Sequence, residues 1–323
     1  MVCFSSAFLD KYPQNLGVLH HVARALSVSA VIPAPAGLLA AGVASVPLIS
    51  FEDLAQRENL RRLRSYLLES CDICQNSAAR YLSMIRTVLN EARASGLVSG
   101  LPADASRLLS VAIFRRHGVY IDNERLHELE ALALPSGLRS DALEGLQIAR
   151  LLFLISARTG ARAIDVARLR PTNVRSGRLT YVPQKTKGTS GAFCVVPIGP
   201  RTEAMISEVR ELLAGVDLSD ARAEKSFYVR YERSLKALMK LTDWTEEVTI
   251  FEKNEETVKK FCDTVTTHTA RHSFATNMYL DEEVGGDIYA IAQMLGHSSV
   301  DMTMSYICVP YNERKMAKVK YFE

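Results

Sequence analysis

The sequence has no large surplus of charge of either sign. Its 323 residues carry 39 Lys and Arg against 36 Asp and Glu, a net charge of +3. Bulk charge therefore argues for no partner, and a nucleic-acid surface has to come from local clustering of Arg and Lys. The six cysteines (Cys3, Cys71, Cys74, Cys194, Cys262 and Cys308) follow no disulfide framework, and no signal peptide is evident. The expected compartment is a reduced cytoplasm. Cys71-Asp72-Ile73-Cys74 lacks a partner pair at zinc-site spacing and has no βαβ pattern around it. It reads as two cysteines at a helix–helix turn. The apolar stretch Ser27 to Ile49 is long enough for a membrane span, but Pro33, Pro35, Pro47, Gly37 and Gly42 interrupt it and no positive flank adjoins it. A packed connector is expected there, and no membrane. No internal repeat or low-complexity tract stands out.

What is present suits a soluble globular chain of two domains: 48% hydrophobic residues spread over 323 positions. Helical patterns run from Leu16 to Val28, from Phe51 behind an Ser50 N-cap to about Ser70, and from Ala78 to Ser95. Arg80 and Arg86 on the last of these are the best candidates for phosphate contact. Periodicity weakens after Leu101, and Arg115-Arg116-His117-Gly118 reads as a basic linker able to follow a phosphate backbone. Beyond it, Asn123 to Ala133 and the apolar Ser140 to Ala157 read as helices. Thr159-Gly160-Ala161-Arg162 follows, with Arg162 in the first turn of a new amphipathic helix and Asp165 three residues on. Arg178 to Pro183 and Phe193 to Pro197 alternate and are expected to pair as a hairpin around Lys185 and Lys187. Helices follow at Thr202 to Leu213 and Ser226 to Leu241, and a second hairpin turns at Asn254-Glu255.

The densest pattern runs from His268 to Tyr306. His268, Arg271 and His272 fall at i, i+3 and i+4 and share a helix face. Ile288 to Leu295 forms an apolar helix that Gly296 stops, leaving His297 on a corner that can approach a ligand. Tyr306 is expected inside a short helical run, Met302 to Ile307. His268-x-x-x-His272 has a zinc-like spacing, but Thr269 stands where a zincin requires Glu, so no metal is expected.

His268-x-x-Arg271, Leu295-Gly296-His297, Thr303 and Tyr306, preceded by Thr159-Gly160-x-Arg162-x-x-Asp165, resemble the signature of the tyrosine recombinase (phage integrase) family. The resemblance implies a mainly α fold with small antiparallel β-hairpins (α+β). It implies a helical core-binding domain over residues 1–114, a linker over 115–121 and a catalytic domain over 122–323, its tail starting near 308. The two domains would form a C-shaped DNA clamp. It further implies catalytic roles for Arg162, Lys185, His268, Arg271, His297 and Tyr306, with Asp165 and His272 supporting. Lys187 is the alternative lysine and a DNA contact, beside Arg80, Arg86, Arg115 and Arg116.

These residue types suit attack of a tyrosine oxygen on a phosphodiester. Guanidinium groups hold the non-bridging oxygens in a planar fork, and histidines and a lysine handle protons. The expected activity is site-specific DNA recombination or integration through a 3′-phosphotyrosine on Tyr306, with no cofactor, metal or ATP. The expected partners are a double-stranded DNA recombination site and three further copies in a tetrameric synapse, the free chain being a monomer or weak dimer. An accessory DNA-bending protein and a bacterial, phage or mobile-element origin belong to the same expectation, as does a basic docking helix at Asn312 to Lys320. The same residues also serve a type IB topoisomerase-like or hairpin-resolving strand transferase. A non-catalytic DNA-binding accessory protein is the third reading.

Overall fold

The structure is a computed structural model, and it describes residues 3–113, 118–185, 187, 193–252, 255–281 and 286–309. Arg115, Arg116 and the tail Asn312 to Lys320 lie outside the described residues. The chain divides into two units: Met1–Arg115 with Phe251–Glu255, and Arg116–Ile250 with Glu256–Glu323.

The first unit is built from helices α1 (Phe4–Lys11), α2 (Leu16–Leu26), α3 (Ala36–Ala40), α4 (Phe51–Ala55), α5 (Arg57–Ser65), α6 (Gln75–Ala94) and α7 (Ala105–Leu108), with short strands β1 (Val31–Pro33) and β2 (Ser45–Pro47). Its core gathers Phe4, Phe8, Leu19, Leu60, Leu82 and Ile85, all without solvent exposure. The apolar Ser27 to Ile49 connector is an antiparallel β1–β2 ladder, with Val31 opposite Pro47 and Pro33 opposite Ser45. Prolines fit there because a two-stranded ladder leaves outward N–H positions unused. Among the described residues no helix is long and apolar enough to cross a membrane. The single helix expected from Phe51 to Ser70 is broken. Gln56 is extended (φ −67°, ψ 134°), and Asn59 Nδ2 donates to the Asp53 carbonyl at 2.7 Å. That side-chain donor satisfies a carbonyl the continuing helix would have used. Cys74 caps α6, and Cys71 Sγ lies 3.2 Å from His21 Nδ1.

The second unit holds α8 (Asn123–Ala131), α9 (Ser140–Thr159), α10 (Ala163–Val166), α11 (Pro200–Leu212), α12 (Ala221–Met239), α13 (Phe261–Thr264), α14 (Thr269–Leu280), α15 (Ile288–Leu295) and α16 (Val300–Met304). Strands β3 (Val174–Arg175), β4 (Arg178–Tyr181) and β5 (Cys194–Pro197) form one antiparallel sheet; β6 (Glu247–Glu252) and β7 (Glu255–Lys260) form a hairpin, of which Phe251–Glu255 counts with the first unit. In β4 and β5, Leu179, Tyr181, Cys194 and Val196 are buried while Arg178, Thr180, Val195 and Pro197 are exposed. This is the alternation a one-faced sheet requires. Helix α9 is the central pillar, apolar from Leu146 to Ala157 and packed on by α11, α12 and α14. Ile121, placed in the linker by sequence, is fully buried in this core. Helix α12 starts earlier than its apolar pattern, because the Asp220 carboxylate accepts the N–H groups of Arg222 and Ala223, both at 2.8 Å.

Candidate active site

Two glycine stops build the site. Gly160 ends α9 with φ +68°, and Gly296 ends α15 with φ +66°. A Cβ on Gly160 would lie 2.6 Å from Phe274 Cδ1 and 2.7 Å from Leu295 Cδ2, so α14 and α15 close directly over this turn. The close approach lets Arg271 of α14 donate from Nη1 to the Gly160 carbonyl and from Nη2 to the Leu295 carbonyl, the latter at 2.6 Å. The guanidinium is thus tied to the two helix ends whose carbonyls helix formation leaves without partners.

Arg271 Nη2 also lies 2.9 Å from His297 Nε2. Guanidinium has no acceptor, so Nε2 accepts and the His297 proton sits on Nδ1, which donates to Thr303 Oγ1 at 3.0 Å. His297 is held neutral: burial, then the charges of Arg271 and Arg162, push it down to about 4. Arg271 is only 2% exposed, and burial followed by the charge of Arg162 lowers its pKa from a very high ordinary value. Its buried Nε has no hydrogen-bond partner.

Arg162 is not inside a helix as expected. It is the N-cap of the single-turn α10, in extended conformation, with 23% of its side chain exposed. Its Nη1 lies 3.9 Å from Asp165 Oδ2, a loose pairing. Asp165 is buried, and its other oxygen accepts the Gln184 backbone N–H at 2.8 Å. Burial raises the Asp165 pKa; the Gln184 bond and Arg162 oppose that. This carboxylate anchors the turn that carries the exposed Lys185 next in sequence. Lys187, on the same turn, is also exposed.

His268 occupies the N-cap position of α14 without a side-chain capping bond, and its pKa is lowered, by desolvation of the ring first and then by His272, Arg271, Arg162 and Lys185. Tyr306 lies just past α16 rather than within a helix. Its ring sits 4.8 Å from the His272 ring and 5.0 Å from the His297 ring, with the Arg271 Cζ 5.4 Å from its centroid. His272 Nδ1 donates to the Tyr306 carbonyl at 3.0 Å. Burial lowers the His272 pKa and the bond to Tyr306 opposes this. Among the described residues no group of three His, Cys, Asp or Glu side chains is placed to hold a metal ion.

The structure thus brings Arg162, Asp165, Lys185, His268, Arg271, His272, His297 and Tyr306 into one connected neighbourhood. Arg80 and Arg86 lie in the first unit on α6. Arg80 is exposed, and Arg86 is partly buried at a surface cavity of about 590 Å³ with Asn90 and Glu91. Sequence reasoning missed a basic stripe on α12. Arg222, Lys225, Arg233, Lys236 and Lys240 are all exposed, and at helical pitch they fall within a sector of about 80° over about 27 Å. The i, i+3, i+11, i+14, i+18 spacing could have revealed it. On another face of α12, Tyr228 bonds Thr267 through its hydroxyl, one residue before His268.

A family model described as "Phage integrase family" matches residues 133–313. The tyrosine recombinase XerA of Thermococcus kodakarensis is 28% identical over 268 residues, 80% of this chain and 86% of that protein. The integrase of Escherichia phage P2 is 29% identical over 148 residues, covering 46% of this chain and 34% of that one. A Tn1549 transposon integrase, solved in complex with a circular intermediate DNA, shares the fold with a TM-score of 0.58 at 13% identity, covering 98% of each chain. Its likeness places the helix-rich architecture among the integrases. The family match spans more than half of the sequence, so the chain belongs to the phage integrase family and is a tyrosine recombinase.

Proposed function

We propose that the chain cuts and rejoins DNA at specific sites through a 3′-phosphotyrosine on Tyr306. The observation that carries this reading is the setting of Tyr306, with its ring against His272, His297 and the Arg271 guanidinium. The phenol oxygen attacks phosphorus as its proton leaves towards His268, and the P–O5′ bond breaks. The Lys185 ammonium protonates the departing 5′ oxygen. A second 5′ hydroxyl then reverses the attack, and the step as written uses no metal and no ATP.

The two arginines have unequal tasks. Arg271 engages three of its five N–H donors with Gly160, Leu295 and His297 and also interacts with the Tyr306 side chain, so few of its donors are left for a phosphate oxygen. Arg162, more exposed and loosely paired, is the freer clamp. His297 has both ring nitrogens engaged, so it braces Arg271 here; donating to phosphate would require a proton on Nε2 and a shift of Arg271. Phosphate contacts along the α12 stripe, together with Arg80 and Arg86, supply sequence-independent affinity. The working assembly is four copies on two DNA sites.

The test is covalent capture. A duplex recovered by binding from a randomised pool is nicked near its centre and incubated with the protein, and adducts are resolved under denaturing conditions. The unaltered protein forms an adduct and Tyr306→Phe does not; no adduct from the unaltered protein refutes the reading. Strand exchange between two sites, rather than supercoil relaxation, separates a recombinase from a topoisomerase-like enzyme.

A further inference from the structure

We propose that Gly118 and His272 form a latch through which the segment entering the second unit controls the placement of the Tyr306 main chain. The proposal rests on the reading of Tyr306 as nucleophile and adds a regulatory contact to it.

Residues 118–121 run along α14 and are held there by side chains. Ser273 Oγ accepts the Ile121 N–H at 2.9 Å, and Asn277 Nδ2 donates to the Ile121 carbonyl at 3.0 Å. At the start of this run, a Cβ on Gly118 would lie 3.2 Å from His272 Cε1 and Nδ1 and 3.3 Å from Cys308 Sγ. That is tighter than ordinary van der Waals contact, so the missing side chain at 118 is a matter of space.

The same His272 Nδ1 holds the Tyr306 carbonyl at 3.0 Å. One turn along α14, Thr276 Oγ1 lies 3.4 Å from that carbonyl and accepts the Cys308 N–H at 3.0 Å. The backbone on both sides of the Tyr306–Cys308 segment is therefore fixed from α14, and any side chain at position 118 would crowd the His272 ring that takes part in this fixing. His272 is a positioning residue: it reaches the reacting oxygen only through the tyrosine it holds. Reacting atoms displaced by about 1 Å lose rate by about a hundredfold. A side chain introduced at position 118 has that leverage because it would meet the same ring that holds the Tyr306 carbonyl.

The experiment measures single-turnover adduct formation on the nicked duplex described above, beside DNA affinity and thermal melting. Asn can place a donor where His272 Nδ1 stands, whereas Phe keeps the ring and loses the donor. His272→Asn is expected to cleave within about threefold of the unaltered protein, and His272→Phe at least about tenfold slower, both binding DNA normally. Gly118→Val is expected to be at least about tenfold slower. Added to His272→Ala its effect should shrink, since the part that acts through the imidazole is gone while the approach to Cys308 remains. Gly118→Ala replaces the valine variant if the latter melts early. A readout without DNA is the 15N spectrum of the imidazole. It should show the proton on Nδ1 of His272 in the unaltered protein and its loss from that bonded position in Gly118→Val.

Wild-type rates in both His272→Phe and Gly118→Val overturn the latch and leave the phosphotyrosine reading standing. So does an undiminished Gly118→Val effect in the His272→Ala background. No adduct from the unaltered protein overturns both.

Discussion

Replacing Gly160 with alanine tests whether the site is assembled by close approach at one turn. Two penalties meet there. The backbone is left-handed at φ +68°, which costs an alanine about 1–2 kcal/mol. Its Cβ would also sit 2.6 Å from Phe274 Cδ1 and 2.7 Å from Leu295 Cδ2, both on buried side chains. Overpacking of that kind costs about 1–3 kcal/mol. The smaller entropy of the unfolded alanine chain returns about 0.4–1 kcal/mol. The net expectation is a loss of about 3 kcal/mol. Gly177→Ala is the matched control: φ is +70°, but the nearest atom to an added Cβ is the Ile198 carbonyl oxygen at an ordinary 3.6 Å. It should lose about 1 kcal/mol, from the backbone alone. Urea unfolding of both variants reads the difference, about 2 kcal/mol, as the cost of overlap. A Gly160→Ala protein as stable as Gly177→Ala would refute the close-approach argument. The Gly160 carbonyl also holds Arg271, so Gly160→Ala should slow adduct formation while Gly177→Ala should not.

Three further expectations follow from the same geometry. Asp165→Asn keeps an acceptor for the Gln184 N–H and removes a buried charge whose pKa is raised, so stability should hold or rise; Asp165→Ala should release the Lys185 turn and slow cleavage at least about tenfold. Denaturation curves and single-turnover rates check both. His297 is protonated more readily in the unfolded chain than in the fold, where it is held down to about 4. Stability should therefore fall as pH drops from about 6.5 towards 4, and His297→Asn should flatten that part of a stability-against-pH profile. Replacing Arg233 and Lys236 of the α12 stripe with alanine should weaken DNA binding across sequences. The slope of log affinity against log salt should become shallower by nearly 2. An unchanged slope would remove the stripe from the DNA-facing surface.

Much of the fold was legible locally. The apolar run ending at Gly160, the Ile288–Leu295 helix stopped by Gly296 and the alternation around Arg178 and Phe193 all reappear as elements, because caps and periodicity act within a few residues. Local reasoning failed where side-chain bonds only a few residues apart reset the backbone. The break at Gln56 depends on Asn59 reaching back to Asp53, and α12 begins early because Asp220 caps it. Arg162 and Tyr306, both expected inside helices, stand at helix edges instead. Each is left on backbone from which its side chain meets groups on other elements.

The sequence by itself determined the inventory of the candidate site: two arginines, three histidines, a lysine and a tyrosine, at a spacing that pointed to the family. Only the tertiary structure decided how they divide the work. That His297 accepts from Arg271 and donates to Thr303 follows from packing across residues 271, 297 and 303. That Arg271 spends donors on Gly160 follows from a contact spanning 111 positions. That His272 serves the Tyr306 carbonyl, with no room for a side chain at Gly118 beside it, joins three distant segments. Residue types and helix stops are short-range properties of a chain. Tautomers, unpaired donors and steric gaps arise only when separate elements close on one another.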